Sequence, residues 1–227
     1  MRSGRGRRRF GLACATAAMA LTGCGAASDE ERERSDGERA RAALLTQGDL
    51  PGEWRRSDSG AEEAAPSPEQ LARLCPGYPA AWLVSGGDEV ASFESDGGVI
   101  AHGITTVADG ADAGAQFDDF GSARSRRCMR GIVEWSLREA DVGDAEIEVG
   151  DVEVEALDRA GDERGMHLSL TLGVGDVTLP VEGDVVATRA VDTFSSLYLL
   201  SLQQPLDAAL RDRLAEIAAQ RLRQQFG

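Results

Sequence analysis

Apolar positions along the chain follow two different periods. The clearest helical spacing runs over Pro205–Phe226, where Leu206, Leu210, Leu214, Ile217, Ala218 and Leu222 make one stripe, with Asp207 in the first turn and Arg221 and Arg223 near the end. Ala113, Phe117 and Phe120 share a face over 109–120, and Cys128, Ile132, Trp135 and Leu137 fall at helix-compatible positions over 123–139. A shorter helix is predicted after Ser67-Pro68-Glu69, an N-cap followed by proline at the first helical position, and it delivers Cys75 at its end. Before it, a helix starting at Glu38 stops at Gly48, Pro51-Gly52 makes a turn, and Trp54 on a short strand becomes a core anchor.

Strand patterns fill the middle. Residues 88–94 and the β-branched run Val99–Val107 flank the hairpin turn Asp96-Gly97-Gly98. Three more strands are predicted over 165–174, 177–188 and 192–202, with Glu182-Gly183-Asp184 separating or interrupting them. Around Gly150 the alternation changes parity: Ile147 and Val149 are odd, Val152 and Val154 even. A one-residue slip turns a strand's face over, so Gly150-Asp151 is a turn, a bulge or a boundary between elements. The fold class that follows is α+β: a single antiparallel β-sheet packed with helices and closed by a C-terminal amphipathic helix.

The N-terminus reads differently. Five arginines and no acid in residues 1–9 precede an apolar stretch from Phe10 to Leu21, far short of the roughly 20 residues that span a bilayer. This is the grammar of a secretory signal peptide. Leu21-Thr22-Gly23-Cys24 resembles the lipobox of bacterial lipoproteins, in which the cysteine receives diacylglycerol. The resemblance implies cleavage after residue 23 and a lipid anchor on Cys24, holding the protein at the extracytoplasmic face of the cell membrane. Arg7-Arg8-Arg9-Phe10 also resembles the twin-arginine export motif, and the export route stays open. Residues 24–40 are charge-dense without apolar periodicity and are expected to be a flexible tether; 41–227 form the α+β domain.

Cleavage sharpens the charge. The whole chain carries 24 basic residues, all arginine, against 39 acidic ones, a net −15; losing five arginines with residues 1–23 leaves about −20. Such a surface excludes a nucleic-acid binder. Of four cysteines, Cys14 leaves with the leader and Cys24 takes lipid, so Cys75 and Cys128 are expected to pair in an oxidising compartment.

Catalytic motifs are absent: there is no Gly-x-Ser-x-Gly, no phosphate loop and no His-Glu-x-x-His. His102 and His167 both fall in strand runs and read as ordinary strand residues before they read as ligands or bases. Asp109, Asp112, Asp118 and Asp119 are dense but lack the alternate spacing of a calcium loop. The stripe Glu146, Glu148, Asp151, Glu153 and Glu155 is either a collector of cations or a basic partner, or a solvated strand face that discourages edge pairing. No catalytic residue, metal site or cofactor is assigned.

Leu44-Leu45-Thr46, Asp49-Leu50-Pro51-Gly52 and Trp54, with the spaced cysteine pair, the Gly150-Asp151 turn and Val185-Val186-Ala187-Thr188-Arg189 before an amphipathic helix, resemble the PknH-like extracellular domain of high-GC Gram-positive bacteria. That family is the sensor part of receptor kinases and also occurs on lipoproteins. The resemblance covers residues 40–225 and implies an α+β fold with a ligand cleft. This chain has one cysteine pair where the kinase sensors carry two, and it has no kinase domain. The leading expectation is a non-catalytic lipoprotein, lipid-anchored at the membrane, that binds a small ligand or an envelope protein in a cleft. A secreted hydrolase using an acidic pair and an accessory subunit of an envelope complex are the alternatives. Two carboxylates buried beside a histidine would favour the hydrolase.

Overall fold

A computed structural model describes residues 29–52, 54–57, 66–78, 89–106, 110–139, 147–202, 204 and 207–227. The expected signal peptide (residues 1–23), Cys24, residues 58–65, Asp109, Glu146, Pro205 and Leu206 lie outside the described residues. In chain order the elements are α1 (Asp29–Ala43), a 3-10 turn (Gln47–Asp49), β1 (Arg55–Ser57), α2 (Pro68–Leu74), β2 (Glu89–Ser95), β3 (Gly98–Thr106), α3 (Gly110–Asp119) and α4 (Ala123–Glu139). There follow β4 (Ile147–Val149), β5 (Glu153–Leu157), β6 (Glu163–Val174), β7 (Val177–Ala190), β8 (Thr193–Leu202) and α5 (Ala208–Phe226). Among the described residues the class is α+β, with one eight-stranded sheet in the order β1-β2-β3-β8-β7-β6-β4 and β5 beside β4 on β6. Every pairing is antiparallel.

Strand periodicity sorts the side chains onto two faces. One face carries Phe93, Ile100, Ile104, Val186, Leu197 and Leu199, covered by α1 and α5 through Ala40, Ala43, Leu214, Leu222 and Phe226. Each fully buried leucine contributes about 2 kcal/mol here, and Trp54 packs half-buried against the same core. The opposite face carries Met166, Leu168, Leu170 and Val181, covered by α4 through Met129, Val133 and Leu137. Ala113 and Phe117 of α3 cap Phe194 at the far end of that face.

The parity change at Gly150 is a bulge. Val149 lies opposite Leu172 and Glu153 opposite Ser169, so three residues on one side face two on the other. The Gly150 N–H still donates to the Thr171 carbonyl at 2.9 Å, and a Cβ there would sit 2.2 Å from Thr171 Oγ1. The inserted residue turns Val152 and Val154 inward under α4.

Three expectations need correction. The tether does not run to residue 40. Helix α1 occupies Asp29–Ala43, Ala40 and Ala43 are buried, and the Arg39 guanidinium lies 4.3 Å over the Phe226 ring. Small alanines let α1 seat closely on a partner from the far end of the chain, which no local period reveals. Gly183 does not interrupt a strand; β7 passes through it, because a Cβ there would meet Leu200 Cδ2 at 2.5 Å. Finally, α5 begins after Asp207, whose Oδ1 accepts from the N–H groups of Ala209 and Leu210, making it the N-cap rather than a first-turn residue.

Candidate functional site

The site is built where α2, α3 and α4 stand over the second face of the sheet. Ser67 and Gln70 cap α2 reciprocally: the Gln70 N–H donates to Ser67 Oγ at 3.3 Å and the Ser67 N–H to Gln70 Oε1 at 2.7 Å. This short helix ends at Cys75, whose sulfur is bonded to Cys128 of α4, as the cysteine count predicted. Where the helices cross, Gly131 faces the Leu74 carbonyl, and a Cβ there would come within 3.2 Å of it.

Just beyond α2, Tyr78 donates to Asp119 Oδ2 at 2.7 Å. Asp119 also accepts from Arg124 Nε at 3.2 Å and from Ser122 Oγ at 3.0 Å, and the Arg124 guanidinium lies 4.7 Å over the Tyr78 ring. Partial burial pushes the Asp119 carboxyl up, but the hydrogen bonds from Tyr78, Arg124 and Ser122 outweigh it and hold the group below the usual carboxylate range. Burial first, and then the bond to Asp119, push the Tyr78 hydroxyl up to about 12. Asp119 is therefore a clamp that fastens the α2 end to the α3–α4 junction.

Between these helices and the sheet lies a cleft of about 300 Å³. Its floor is Thr105, Met166, Ala187, Phe194 and Ser196, drawn from β3, β6, β7 and β8. Gln116 and Phe117 of α3, with Phe120 just after it, line one wall and Ser125, Cys128, Met129 and Ile132 of α4 the other, with Leu71 and Tyr78 at the α2 side. No described lining residue carries a charge. Sequence patterning placed Phe117, Phe120 and Ile132 on inward helix faces. Gln116, Tyr78 and Ser196 carried no such signal, because a polar residue shows its inward position only after the helices are docked.

The other predicted candidates lie elsewhere. His102 is fully buried on the α1/α5 face; it accepts from the Leu45 N–H at Nδ1 (2.9 Å), and its Nε2 lies 2.6 Å from Ser195 Oγ. Burial, reinforced by the Arg221 charge against a weaker opposing effect of Asp49, lowers its pKa to about 4. His167 is on β6, with Nδ1 2.7 Å from Oδ1 of its cross-strand partner Asp184. Strands β8 and β7 separate the two histidines, about 14 Å at the usual strand spacing, so they share no ligand.

Asp184 is buried, but its second oxygen accepts from Arg211 at 2.8 Å. The group beside His167 is thus a carboxylate–arginine pair and not two carboxylates. Arg211 Nε also donates to Asp212 at 2.9 Å, and that hydrogen bond holds the Asp212 carboxyl below its ordinary range. Asp118 is exposed, 3.7 Å from Arg164. Glu148, Asp151, Glu153 and Glu155 are exposed along the sheet edge formed by β4 and β5. Among the described residues no group of His, Cys, Asp and Glu converges as metal ligands do.

Fold and site together define a class: an α+β domain presenting an uncharged cleft between its sheet and helices held by a disulfide. No protein-family model matches the chain, and no curated protein matches it. Among solved structures it is similar to the extracellular domain of PknH from Mycobacterium tuberculosis, with 11% identity, 83% of this chain and 95% of that chain covered, and a TM-score of 0.37. It also resembles a thioesterase family protein from Silicibacter pomeroyi, with 12% identity, 60% and 98% covered, and a TM-score of 0.20. Likenesses this weak carry no statement about activity or ligand.

Proposed function

We propose that this protein is an extracytoplasmic lipoprotein, anchored to the cell membrane through Cys24, whose α+β domain is a non-catalytic, sensor-like binding module. The observation that carries the reading is the uncharged cleft of about 300 Å³ walled by α2–α4. Such a concave, mostly apolar site is the usual form of a small-molecule pocket. A disulfide at its wall fits an oxidising compartment. The arginine-rich leader and Leu21-Thr22-Gly23-Cys24 supply the address. No helix among the described residues is long and apolar enough to cross a membrane, so attachment falls to the lipid.

Two experiments test this. Cell fractionation of Cys24→Ala should move the protein from the membrane to the soluble fraction; retention in the membrane overturns the anchor. Mass spectrometry of the native lipoprotein should find a co-purifying small molecule. A stoichiometric protein partner in its place would mark an accessory subunit of an envelope complex instead.

A further inference from the structure

Two polar groups of the cleft wall are committed. Tyr78 donates to Asp119. Ser125 Oγ accepts from the Gly121 N–H at 3.0 Å and lies 3.5 Å from Met166 Sδ. Gln116 differs: its Nε2 is shielded from solvent and has no hydrogen-bond partner. An unmet buried amide donor costs about 1–3 kcal/mol, and this one belongs to a side chain that lines the cleft.

We propose that the cleft takes a neutral, largely apolar small molecule bearing a carbonyl-type acceptor, and that the Gln116 amide, turned from its shielded position toward the cleft, donates to that oxygen. The proposal rests on the reading of the cleft as a ligand site and adds the ligand's chemistry. Neutrality follows from the lining: a carboxylate or ammonium entering among uncharged side chains would lose its water, and the guanidinium groups of Arg164 and Arg189 lie over the Phe117 ring, outside the lining. An aromatic or branched aliphatic body fits Phe117, Phe120 and Phe194, with the thioethers of Met129 and Met166 adjusting to its shape.

The probes are prodan, a neutral naphthyl ketone, and its propyl analogue, in which CH2 replaces the carbonyl. Fluorescence titration of the full chain should give one saturable site, with blue-shifted prodan emission and about tenfold tighter binding of the ketone, the value of one hydrogen bond. Gln116→Leu should abolish that preference, bringing the two affinities together, with a thermal melt confirming the fold. The ratio of the two affinities in the unaltered protein is itself a readout that needs no variant. Equal affinity there, or a preference that survives Gln116→Leu, overturns the acceptor claim and leaves the cleft reading standing. Tighter binding of a naphthyl carboxylate than of prodan overturns neutrality. No saturable binding of any of the three overturns the inference and the cleft reading together.

Discussion

The backbone N–H of Leu45 donates to Nδ1 of His102 at 2.9 Å, joining positions 57 residues apart. Because Nδ1 accepts, the ring is neutral with its proton on Nε2, which donates to Ser195 Oγ. The same turn is held from the other side by Arg221, which donates to the Leu44 carbonyl and, at 2.8 Å, to Asp49. The imidazole thus pins the end of α1 to β3 only while it is uncharged.

Acid should therefore loosen this corner. The folded pKa of about 4 lies below the unfolded value of 6.5, so between those values the unfolded chain binds more protons and stability falls with falling pH. The loss is complete near pH 4 and amounts to about 3 kcal/mol. Urea midpoints from pH 7.5 to 4 should show the slope, and His102→Asn, which keeps an acceptor for Leu45, should flatten it. An unchanged slope in the variant would assign the acid sensitivity elsewhere. Asp119 and Asp212, both held below the usual carboxylate range, add their loss at lower pH.

Reduction should weaken the cleft wall. The Cys75–Cys128 bond spans 53 positions, and a loop of that size is worth about 4 kcal/mol on the chain-entropy estimate. Chemical denaturation with and without reductant measures it. A difference under 1 kcal/mol would mean that the Tyr78–Asp119 clamp alone suffices to hold α2.

Gly98→Ala should destabilise by more than about 2 kcal/mol. An added Cβ would lie 2.2 Å from the Leu200 carbonyl oxygen, a backbone atom that moves only if β3 and β8 separate. Alanine at Gly97, next to it, meets nothing within 4 Å and serves as the control in the same melt.

Val191→Gly should stabilise. Val191 begins the two-residue turn between β7 and β8 with φ of 53°, a region that β-branched side chains avoid, and it is 69% exposed, so little packing is lost. A gain of about 1 kcal/mol would raise the melting temperature by roughly 2–4 °C. A lower melting temperature would show that the valine side chain makes a contact worth more than the strain.

Much of the architecture was legible locally. The Ser67-Pro68 cap, the α4 limits, the hairpin at Asp96-Gly97 and the slip at Gly150 follow from periods and turn chemistry that act within a few residues. Glu182-Gly183-Asp184 misled, because a glycine needed for close approach between strands looks the same in sequence as one needed for a turn. The charged stretch before residue 41 misled for a related reason: the helix it opens is buried through Ala40 and Ala43, which are too small to mark a face, and α5 lies far along the chain.

Local spacing and counting were enough for most of the elements, the cysteine pair and the charge, but not for α1 or for the course of β7 through Gly183. That His102 is a neutral pin, that Asp184 is matched by Arg211, and that Gln116 Nε2 lacks a partner emerges only once the strands are ordered and the helices docked. Those relations arise between residues brought together by strand order and helix docking. A polar side chain's environment is a property of its neighbours, and neighbours across a sheet are not adjacent in sequence.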